Sequence, residues 1–326
     1  MITDKKLLRH TQKLIATLGS KPIIVVGLSG GPDSVFLLFL LKQLQDSGMC
    51  TLVAAHLNHG WRAEAAQDAA WCKALCVKLT IPFVDDHAHN YPIEKKYAGS
   101  AEAIGRKKRQ LFYATIKQQY QATAIALGHH RDDQLETFFI RLARGTSLSG
   151  LHGMDPYDGM YLRPLLDTNK QDIVNWLTTH KIDYLNDATN AHDTYLRNRI
   201  RHHLVPALTQ CDTRFSRSIT NTMARLKDED AFLDELTREV FNKIFEQERA
   251  AAHAPLSAFI TQPLPIQRRL IIHWLIIEKV DFTPSEGLIE EIVRFLHHPH
   301  GGSHQISATH RLVKQKSRIR LENTVG

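Results

Sequence analysis

The sequence predicts an α/β protein in which a parallel sheet carries helices on both faces, with a smaller, mainly helical C-terminal domain after it. Two observations indicate this fold: short apolar runs alternate with helical segments up to Gly145, and the run 23–27 (IIVVG) passes through a glycine turn into an apolar helix. A β-branched run without polar alternation is typical of a strand buried on both faces. Ligands of such sheets bind beyond the carboxyl ends of the strands.

The elements of the first half follow in order. Leucines and isoleucines at helical spacing predict an opening helix that ends at Gly19. Strands are predicted at 23–27, 51–57, 82–86 and 122–127, and the helices between them include 101–119. Cys72 and Cys76 lie on the apolar stripe of the helix after the second strand, and we interpret them as core residues.

The pattern changes beyond Gly145. A loop rich in glycine, serine and aspartate is expected as far as Tyr161, and helices are predicted at 170–180, 217–248 and 263–280. Thr283-Pro284-Ser285-Glu286 predicts a capping box that opens one more helix, and the tail alternates like a hairpin. We therefore predict an α/β domain at 1–216, a helical connector at 217–249 and a C-terminal domain at 250–326.

Composition narrows the class of protein. The 41 lysines and arginines exceed the 34 acidic residues by seven, and a net charge of +7 favours an acidic partner such as nucleic acid. No apolar run approaches the roughly 18 residues that cross a bilayer, and the N-terminus lacks a signal-peptide pattern, so a soluble cytoplasmic protein without a membrane partner is expected. The four cysteines form no C-x-x-C pair, which argues against zinc, iron–sulfur and redox dithiol sites.

The strongest functional motif is Ser29-Gly30-Gly31-Pro32-Asp33-Ser34, placed between a predicted strand and a helix. Adjacent glycines allow a tight turn whose N–H groups face an anion, and the following helix start favours negative charge, so the motif predicts a phosphate-binding loop. It lacks the lysine of the G-x-x-x-x-G-K-[ST] loop. The alternative is an ordinary glycine turn in which serine or aspartate caps the helix.

Further polar blocks follow the ends of later strands. They are the blocks 56–62 (HLNHGWR), 128–137 (GHHRDDQLET), Glu102-Ala103 with Arg106 and Arg109, 163–166 (RPLL), 186–190 (NDATN) and 197–202 (RNRIRH). In this order, and together with the loop, these blocks resemble the tRNA(Ile)-lysidine synthetases of the PP-loop ATP pyrophosphatase superfamily over roughly residues 20–210. Since the chain ends at Gly326, it resembles the short form of that family.

The resemblance implies a PP-loop, adenine nucleotide alpha hydrolase-like catalytic domain at 1–216 and a tRNA-binding domain at 250–326. It also implies a two-step ligation. ATP adenylates the position-2 oxygen of the wobble cytidine in the CAU anticodon of tRNA(Ile) and releases pyrophosphate, after which the side-chain amine of free L-lysine displaces AMP. The product, lysidine, pairs with adenosine, so the codon read changes from AUG to AUA. ATP is the implied substrate and magnesium the implied cofactor, and a homodimer is left open.

Residue roles follow from the same resemblance. Contacts with ATP are expected from Ser29, Gly30, Gly31, Pro32, Asp33, Ser34, His56, Asn58, His59 and His129. Catalysis is expected from Asp33, Arg109, His130, Asp133 and Arg201, with Asp33 and Asp133 also binding magnesium. Two alternatives stay open: Asp132 as a helix cap, and a structural hydrogen bond for His59. An imidazole or a carboxylate is expected to accept the proton of the lysine amine.

Contacts with tRNA are predicted at basic runs that could neutralise phosphates. The candidates are Arg106, Lys107, Lys108, Arg197, Arg199, Arg311, Lys314, Lys316 and Arg318. Each run is also typical of a solvated face. How tRNA(Met) with the same anticodon is rejected is left open, and we interpret His297, His298, His300 and His304 as a polar turn rather than a metal site.

Two other functions compete with this interpretation. A sulfur-inserting tRNA enzyme with the same loop needs paired cysteines for a persulfide or a cluster, and the sequence has no such pair. A non-catalytic module that senses ATP and binds RNA would have no use for Asp33 and the block 129–136. Binding of ATP without release of pyrophosphate would favour the second alternative.

Overall fold

The computed structural model describes residues 4–60, 65–93, 100–185, 196–245, 253–282 and 285–324, with the side chain of Glu102 left out. The block 186–190 and residues Trp61 and Arg62 therefore lie outside the described residues. The chain divides into two compact units, residues 1–223 and 224–326. This division falls within the segment 217–249 that the sequence predicts as a connector.

The first unit contains a five-stranded parallel sheet. Its strands are β1 (Ile23–Gly27), β2 (Thr51–Asn58), β3 (Phe83–His87), β4 (Ala124–Ala126) and β5 (Tyr161–Leu162), in the order β3-β2-β1-β4-β5. All neighbours pair in parallel, with Gly27 opposite Ala55 and Val26 opposite Ala126. The predicted α/β class and its four strands are confirmed. The fifth strand lies in the segment predicted as a loop, because two residues carry no periodic signal.

The helices of this part of the chain are α1 (Lys5–Ala16), α2 (Pro32–Asp46), α3 (Ala65–Lys78), α4 (Ala101–Gln119), α5 (Arg131–Ala143), α6 (Leu148–Leu151), α7 (Lys170–Thr179), α8 (Leu196–Arg199), α9 (Val205–Cys211) and α10 (Phe215–Phe245), of which α10 continues into the second unit. The sheet has helices on both faces, since α2 contributes to one core cluster and α4 to the other. A wider π-helical turn, Ile200–Leu204, joins α8 to α9.

Successive residues of β1 face opposite cores. Ile24 and Val26 pack in the cluster that contains Cys72 and Cys76, whereas Val25 packs with Phe112 of α4. Both cysteines are fully buried, which confirms their interpretation as core residues. Because each face of the strand is covered, its apolar run needs no polar alternation.

The second unit combines helices with a small antiparallel sheet. Its further helices are α11 (Leu256–Ile260), α12 (Leu264–Ile277) and α13 (Glu286–His297), and its strands are β6 (His253–Pro255), β7 (Gly302–Gln305), β8 (His310–Gln315) and β9 (Arg318–Asn323), in the order β6-β9-β8-β7. The predicted hairpin of the tail is confirmed by β8 and β9.

The start of α13 corrects one sequence prediction. Ser285 is the N-cap, and its hydroxyl accepts the N–H of Leu288 at 3.2 Å. The cap therefore comes two residues after the predicted Thr283, which lies outside the described residues together with Pro284. Within the described part of the chain, no helix is long and apolar enough to cross a membrane.

Candidate functional site

The strand order brings two loops together. Since β1 pairs with β2 on one side and β4 on the other, the order in which successive strands are added changes side between β1 and β4, and such sheets bind ligands at the carboxyl ends of those two strands. Gly128 follows β4, and a Cβ there would lie 2.9 Å from the carbonyl carbon and oxygen of Asp33. Only glycine permits this approach, which places the block 128–137 against the glycine loop.

The glycine loop, residues 29–34, has a backbone conformation that depends on glycine and on hydrogen bonds within the loop. Gly30 has φ +86°, and a Cβ on it would lie 2.5 Å from Leu185 Cδ1. Ser34 Oγ donates to the carbonyl of Gly31 at 2.9 Å and accepts the N–H of Ser29 at 3.2 Å. Gly31 is the N-cap of α2, and no side chain caps the helix. The capping alternative is thus not what forms, and no side chain occupies the start of α2, where an anion would be favoured.

Asp33 lies in the first turn of α2 and forms an ion pair with Lys170, which the sequence analysis did not predict. Lys170 Nζ, at the start of α7, lies 2.6 Å from both carboxylate oxygens of Asp33. His130 Nε2 is 3.7 Å from Asp33 Oδ1. The available signal was a lysine at the first position of a predicted helix, soon after the block 163–166.

His130 and Asp133 form the start of α5. The imidazole of His130 accepts the N–H of Asp132 at 3.3 Å, and Asp133 Oδ2 accepts the N–H of His130 at 2.9 Å. This reciprocal capping is supplied by His130 and Asp133, so the structure does not use Asp132 as the cap. Burial raises the pKa of Asp132. Burial also acts to raise the pKa of Asp133, but the neighbouring His130 and Arg197 outweigh it and lower that pKa.

Two arginines bind the acidic side chains of α5. Arg197 reaches Asp133 Oδ1 through Nη2 at 2.6 Å and Glu136 Oε2 through Nε at 2.6 Å. Arg201 Nε lies 2.5 Å from Glu136 Oε1, and its Nη2 lies 3.7 Å from Asp133 Oδ1. The side chain of Glu136 is only 1% exposed. The predicted catalytic Arg201 is thus at the site, and so is Arg197, which the sequence assigned to tRNA.

The predicted histidines stand at the same edge of the sheet. His56 Nδ1 hydrogen-bonds to the carbonyl of Leu28 at 2.9 Å, which ties β2 to the glycine loop. Arg109 Nη2 donates to His59 Nε2 at 3.2 Å, so His59 has the structural hydrogen bond kept open above. Burial, reinforced by Arg109, lowers the pKa of His59 to about 4, and burial also lowers the pKa of His129 to about 4. Both imidazoles are therefore neutral at physiological pH.

Asn58 and the basic residues of α4 complete the first unit's predicted set. Asn58 is buried, and its side-chain oxygen accepts the N–H of Gly60 at 2.8 Å, which closes the turn after β2. Arg106 and Lys107 are exposed, and Lys108 is half-buried. Arg199 of α8 is exposed as well.

The tail residues of the second unit separate into two groups. Arg311, Lys316 and Arg318 are exposed on the hairpin. Lys314 is only 2% exposed, and its ammonium donates to the carbonyls of Phe295, Leu296 and His298 at the end of α13. Lys314 is therefore a helix cap, and it leaves the predicted set of tRNA contacts.

The magnesium prediction rests on carboxylates. Among the described residues, no three His, Cys, Asp or Glu side chains are arranged to hold a metal. Magnesium is commonly held by one or two carboxylates together with substrate phosphates. Asp33 fits this mode, since its side chain is 28% exposed beside the phosphate loop. Asp133 fits it less well, since its side chain is only 10% exposed.

Comparisons with known proteins agree with this geometry. A family model described as a PP-loop domain matches residues 3–208. The tRNA(Ile)-lysidine synthase of Geobacillus kaustophilus is 32% identical over 277 residues, which cover 83% of this chain and 59% of that protein. Its counterpart in Bacillus subtilis is 33% identical over 284 residues, covering 84% of this chain and 59% of that protein. The chain spans about three fifths of the length of these relatives.

A solved structure shares the fold. The U34-tRNA thiolase NcsA from Methanococcus maripaludis, with its 4Fe-4S cluster, superposes with a TM-score of 0.57 at 19% identity. The match covers 68% of this chain and 78% of that one. At this identity the likeness concerns the fold alone. The family model, by contrast, matches more than half of the sequence, and the glycine loop adopts the strand–turn–helix geometry predicted for it, so the chain belongs to the PP-loop domain family.

Proposed function

We propose that the protein ligates free L-lysine to the wobble cytidine of tRNA(Ile) with a CAU anticodon, using ATP and forming lysidine. The observation that carries this proposal is the meeting of the glycine loop with the block 128–137 at one edge of the sheet. This assembly occurs within a stretch similar to tRNA(Ile)-lysidine synthases. ATP, free lysine and tRNA are available together in the cytoplasm, which is where we expect the enzyme to act.

In the first step, the position-2 oxygen of the cytidine attacks the α-phosphorus of ATP. The bond from that phosphorus to the bridging oxygen breaks, and its electron pair leaves with pyrophosphate. The loop 29–34 and the start of α2 would hold the phosphates through backbone N–H groups. Asp33 would hold magnesium, which supplies charge neutralisation at the phosphates when bound.

Charge that develops on the α-phosphate needs preorganised cations. Arg109 and Arg201 are suited to this role, because each guanidinium is oriented by a fixed acceptor, His59 and Glu136 respectively. A guanidinium carries five N–H donors, so donors remain for a phosphate after these contacts. In the second step, the amine of lysine attacks the activated ring carbon, the bond from that carbon to the adenylated oxygen breaks, and its electron pair leaves with AMP. The amine passes a proton to an imidazole or a carboxylate.

Contacts with tRNA are proposed at the exposed cations only. These are Arg106, Lys107, Arg199, Arg311, Lys316 and Arg318. Phosphate contacts of this type position the RNA without reading its sequence. Lys108, which is half-buried, and Arg197, which is held by the buried carboxylates of Asp133 and Glu136, are weaker candidates, and a homodimer stays a prediction.

The cysteines weigh against the thiolation alternative. Cys50, Cys72 and Cys76 are buried, and burial raises the pKa of Cys50 to about 11 and of Cys72 and Cys76 to about 12. Thiols of this kind are protonated and inaccessible, whereas persulfide chemistry and metal binding need a thiolate. Cys211 is exposed, but it has no second exposed cysteine to pair with.

The test is incorporation of labelled lysine into an unmodified CAU-anticodon tRNA(Ile) transcript, with ATP, magnesium and a tRNA(Met) control. We expect lysine on the isoleucine transcript alone, with one AMP and one pyrophosphate per lysine. Pyrophosphate without fixed lysine would refute the proposed nucleophile or tRNA. If neither product appeared under active control conditions, the non-catalytic binding module would become the better reading.

A further inference from the structure

Lys170 lies at this site but has no role in the ligation proposed above. The phosphate loop 29–34 contains no lysine, yet the ammonium of Lys170 lies 2.6 Å from both oxygens of Asp33, directly beside that loop. We propose that Lys170 supplies the phosphate-binding cation that the loop lacks. Its ammonium moves from Asp33 to the pyrophosphate portion of the bound nucleotide. This inference rests on the proposed use of the loop for ATP.

Lys170 does not stabilise α7 at the position that it occupies. It is the first residue of that helix, where the helix dipole is positive and disfavours a cation. Asp33, in contrast, lies in the first turn of α2, where a carboxylate is stabilised. A lysine at this end of α7 is therefore not explained by the stability of its own helix. What it gains is proximity to the phosphate loop.

Packing holds the backbone of Lys170 in place. Trp176 of α7 lies edge-on to Phe36 of α2, with ring centroids 5.2 Å apart, and Ile173 is fully buried. At the start of α5, Arg131 donates its backbone N–H to the carbonyl of Thr168 at 3.0 Å. These contacts anchor α7 to α2 and the segment just before α7 to the start of α5.

The side chain of Lys170 keeps freedom that its backbone lacks. It is 35% exposed, and its ammonium ends a flexible four-carbon stem. A triphosphate at the start of α2 would place anionic oxygens close to the carboxylate of Asp33. Transfer of the ammonium to those oxygens removes this repulsion and leaves Asp33 available to a divalent cation. It also neutralises the charge that pyrophosphate carries away when the bond to the α-phosphorus breaks.

Direct binding of inorganic pyrophosphate tests the assignment. Calorimetric titration in EDTA compares the parent with Lys170→Met and with the matched control Lys42→Met. Lys42 also pairs with an aspartate of α2, Asp46, but lies away from the loop. Loss of a charge-assisted contact predicts affinity weaker by about 10-fold or more for Lys170→Met only. Parent-like affinity in a folded Lys170→Met variant, checked by its melting curve, would overturn the proposal.

A second measurement uses the unmodified chain. Reductive methylation followed by mass spectrometry gives the labelling rate of each lysine. Pyrophosphate should slow labelling at Lys170 and leave Lys42 unchanged. An unchanged rate at Lys170 counts against the proposal even where the variant does not fold.

Neither experiment contains tRNA or free lysine, so the role of Lys170 and the proposed ligation can be refuted separately. If the protein binds pyrophosphate through Lys170 but makes no lysidine, the role of Lys170 is supported and the proposed ligation is refuted. If the protein makes lysidine but Lys170→Met does not weaken its affinity for pyrophosphate, the ligation is supported and the role of Lys170 is refuted.

Discussion

Lys170 and Lys314 place an ammonium group among oxygen atoms in two different units, and the two settings differ in every other respect. The side chain of Lys170 is 35% exposed and faces one carboxylate. Lys314 is 2% exposed and donates to backbone carbonyls, those of Phe295 and Leu296 at 3.0 and 3.1 Å. The carbonyls at a helix end have no partner within the helix, so Lys314 satisfies groups that folding leaves over. Burial and the type of partner, rather than charge, separate a structural lysine from one that can exchange partners.

Glu136 of α5 is both buried and paired with a residue of the proposed active site. Glu136 is buried like Lys314, yet its partner Arg201 belongs to the proposed catalytic set. Variants at these positions test whether burial predicts a stability role at the site as it does in the second unit.

Asp33→Asn should give the largest change, and it should affect activity alone. The variant keeps the shape of the side chain and loses the charge that pairs with Lys170 and is proposed to hold magnesium. We expect pyrophosphate release with tRNA(Ile) to fall by about 1000-fold, the scale of removing a preorganised charge from an active site. Because the ion pair is partly exposed, the free energy of unfolding should change by no more than about 1 kcal/mol. Activity within tenfold of the parent would contradict the role of Asp33.

Glu136→Gln should affect stability strongly. It leaves Arg197 and Arg201, which are 28% and 36% exposed, beside a buried neutral amide, so the loss should be about 1–3 kcal/mol, less than for a pair buried on both sides. Urea denaturation measures the loss. The control is Asp212→Asn, at the exposed pair with Arg214, which should leave the urea midpoint unchanged. Equal midpoints for both variants would break the link between burial and stability.

Acidification should destabilise the first unit through His129. Burial lowers the pKa of this imidazole from 6.5 to about 4, against the opposing effect of Asp133 and with help from Arg163, Arg197 and Arg106. Between pH 6.5 and about 4, His129 therefore binds a proton in the unfolded chain but stays neutral in the folded chain. The resulting stability is fully present above pH 6.5 and is lost as the pH falls toward 4, by about 3 kcal/mol.

The pH dependence is checked by urea denaturation between pH 7 and pH 4. His129→Asn should flatten the curve. His180→Gln, at an exposed histidine, should keep the slope of the parent. A parent-like slope in His129→Asn would mean that other groups account for the acid sensitivity.

Lys314→Met and Lys316→Met should give opposite results. Removing Lys314 takes the ammonium donor from the carbonyls of Phe295, Leu296 and His298, of which that of Phe295 keeps the N–H of His298 as a donor, and should lower the free energy of unfolding by about 1–3 kcal/mol. Affinity for tRNA should hardly change. Lys316→Met should leave stability intact and reduce the salt dependence of tRNA binding by about one counterion. If Lys314→Met altered the salt dependence instead, the buried cap would be the wrong reading of this lysine.

Much of the fold could be predicted because its signals are local. The runs at β1 and β2, and the helix 101–119, have lengths and periods that reveal their type. Elements with weak local signals were missed or misplaced. The strand β5 has two residues, and the cap of α13 is Ser285 rather than Thr283. The start of α5 is capped by a histidine, which is not a usual capping residue.

For the site, the sequence by itself determined the loop 29–34, the residues of the block 128–137, and the sheet edge at which they meet, because motif spacing and strand–helix alternation are written along the chain. Tertiary structure alone decided which charges pair. Lys170 reaches Asp33 across 137 positions, Arg197 turns from a predicted tRNA contact into a partner of Asp133, and Lys314 turns from the surface into a helix cap. The physical reason is that the strength and purpose of a charge depend on its burial and its nearest partners, and both are set by packing between distant segments.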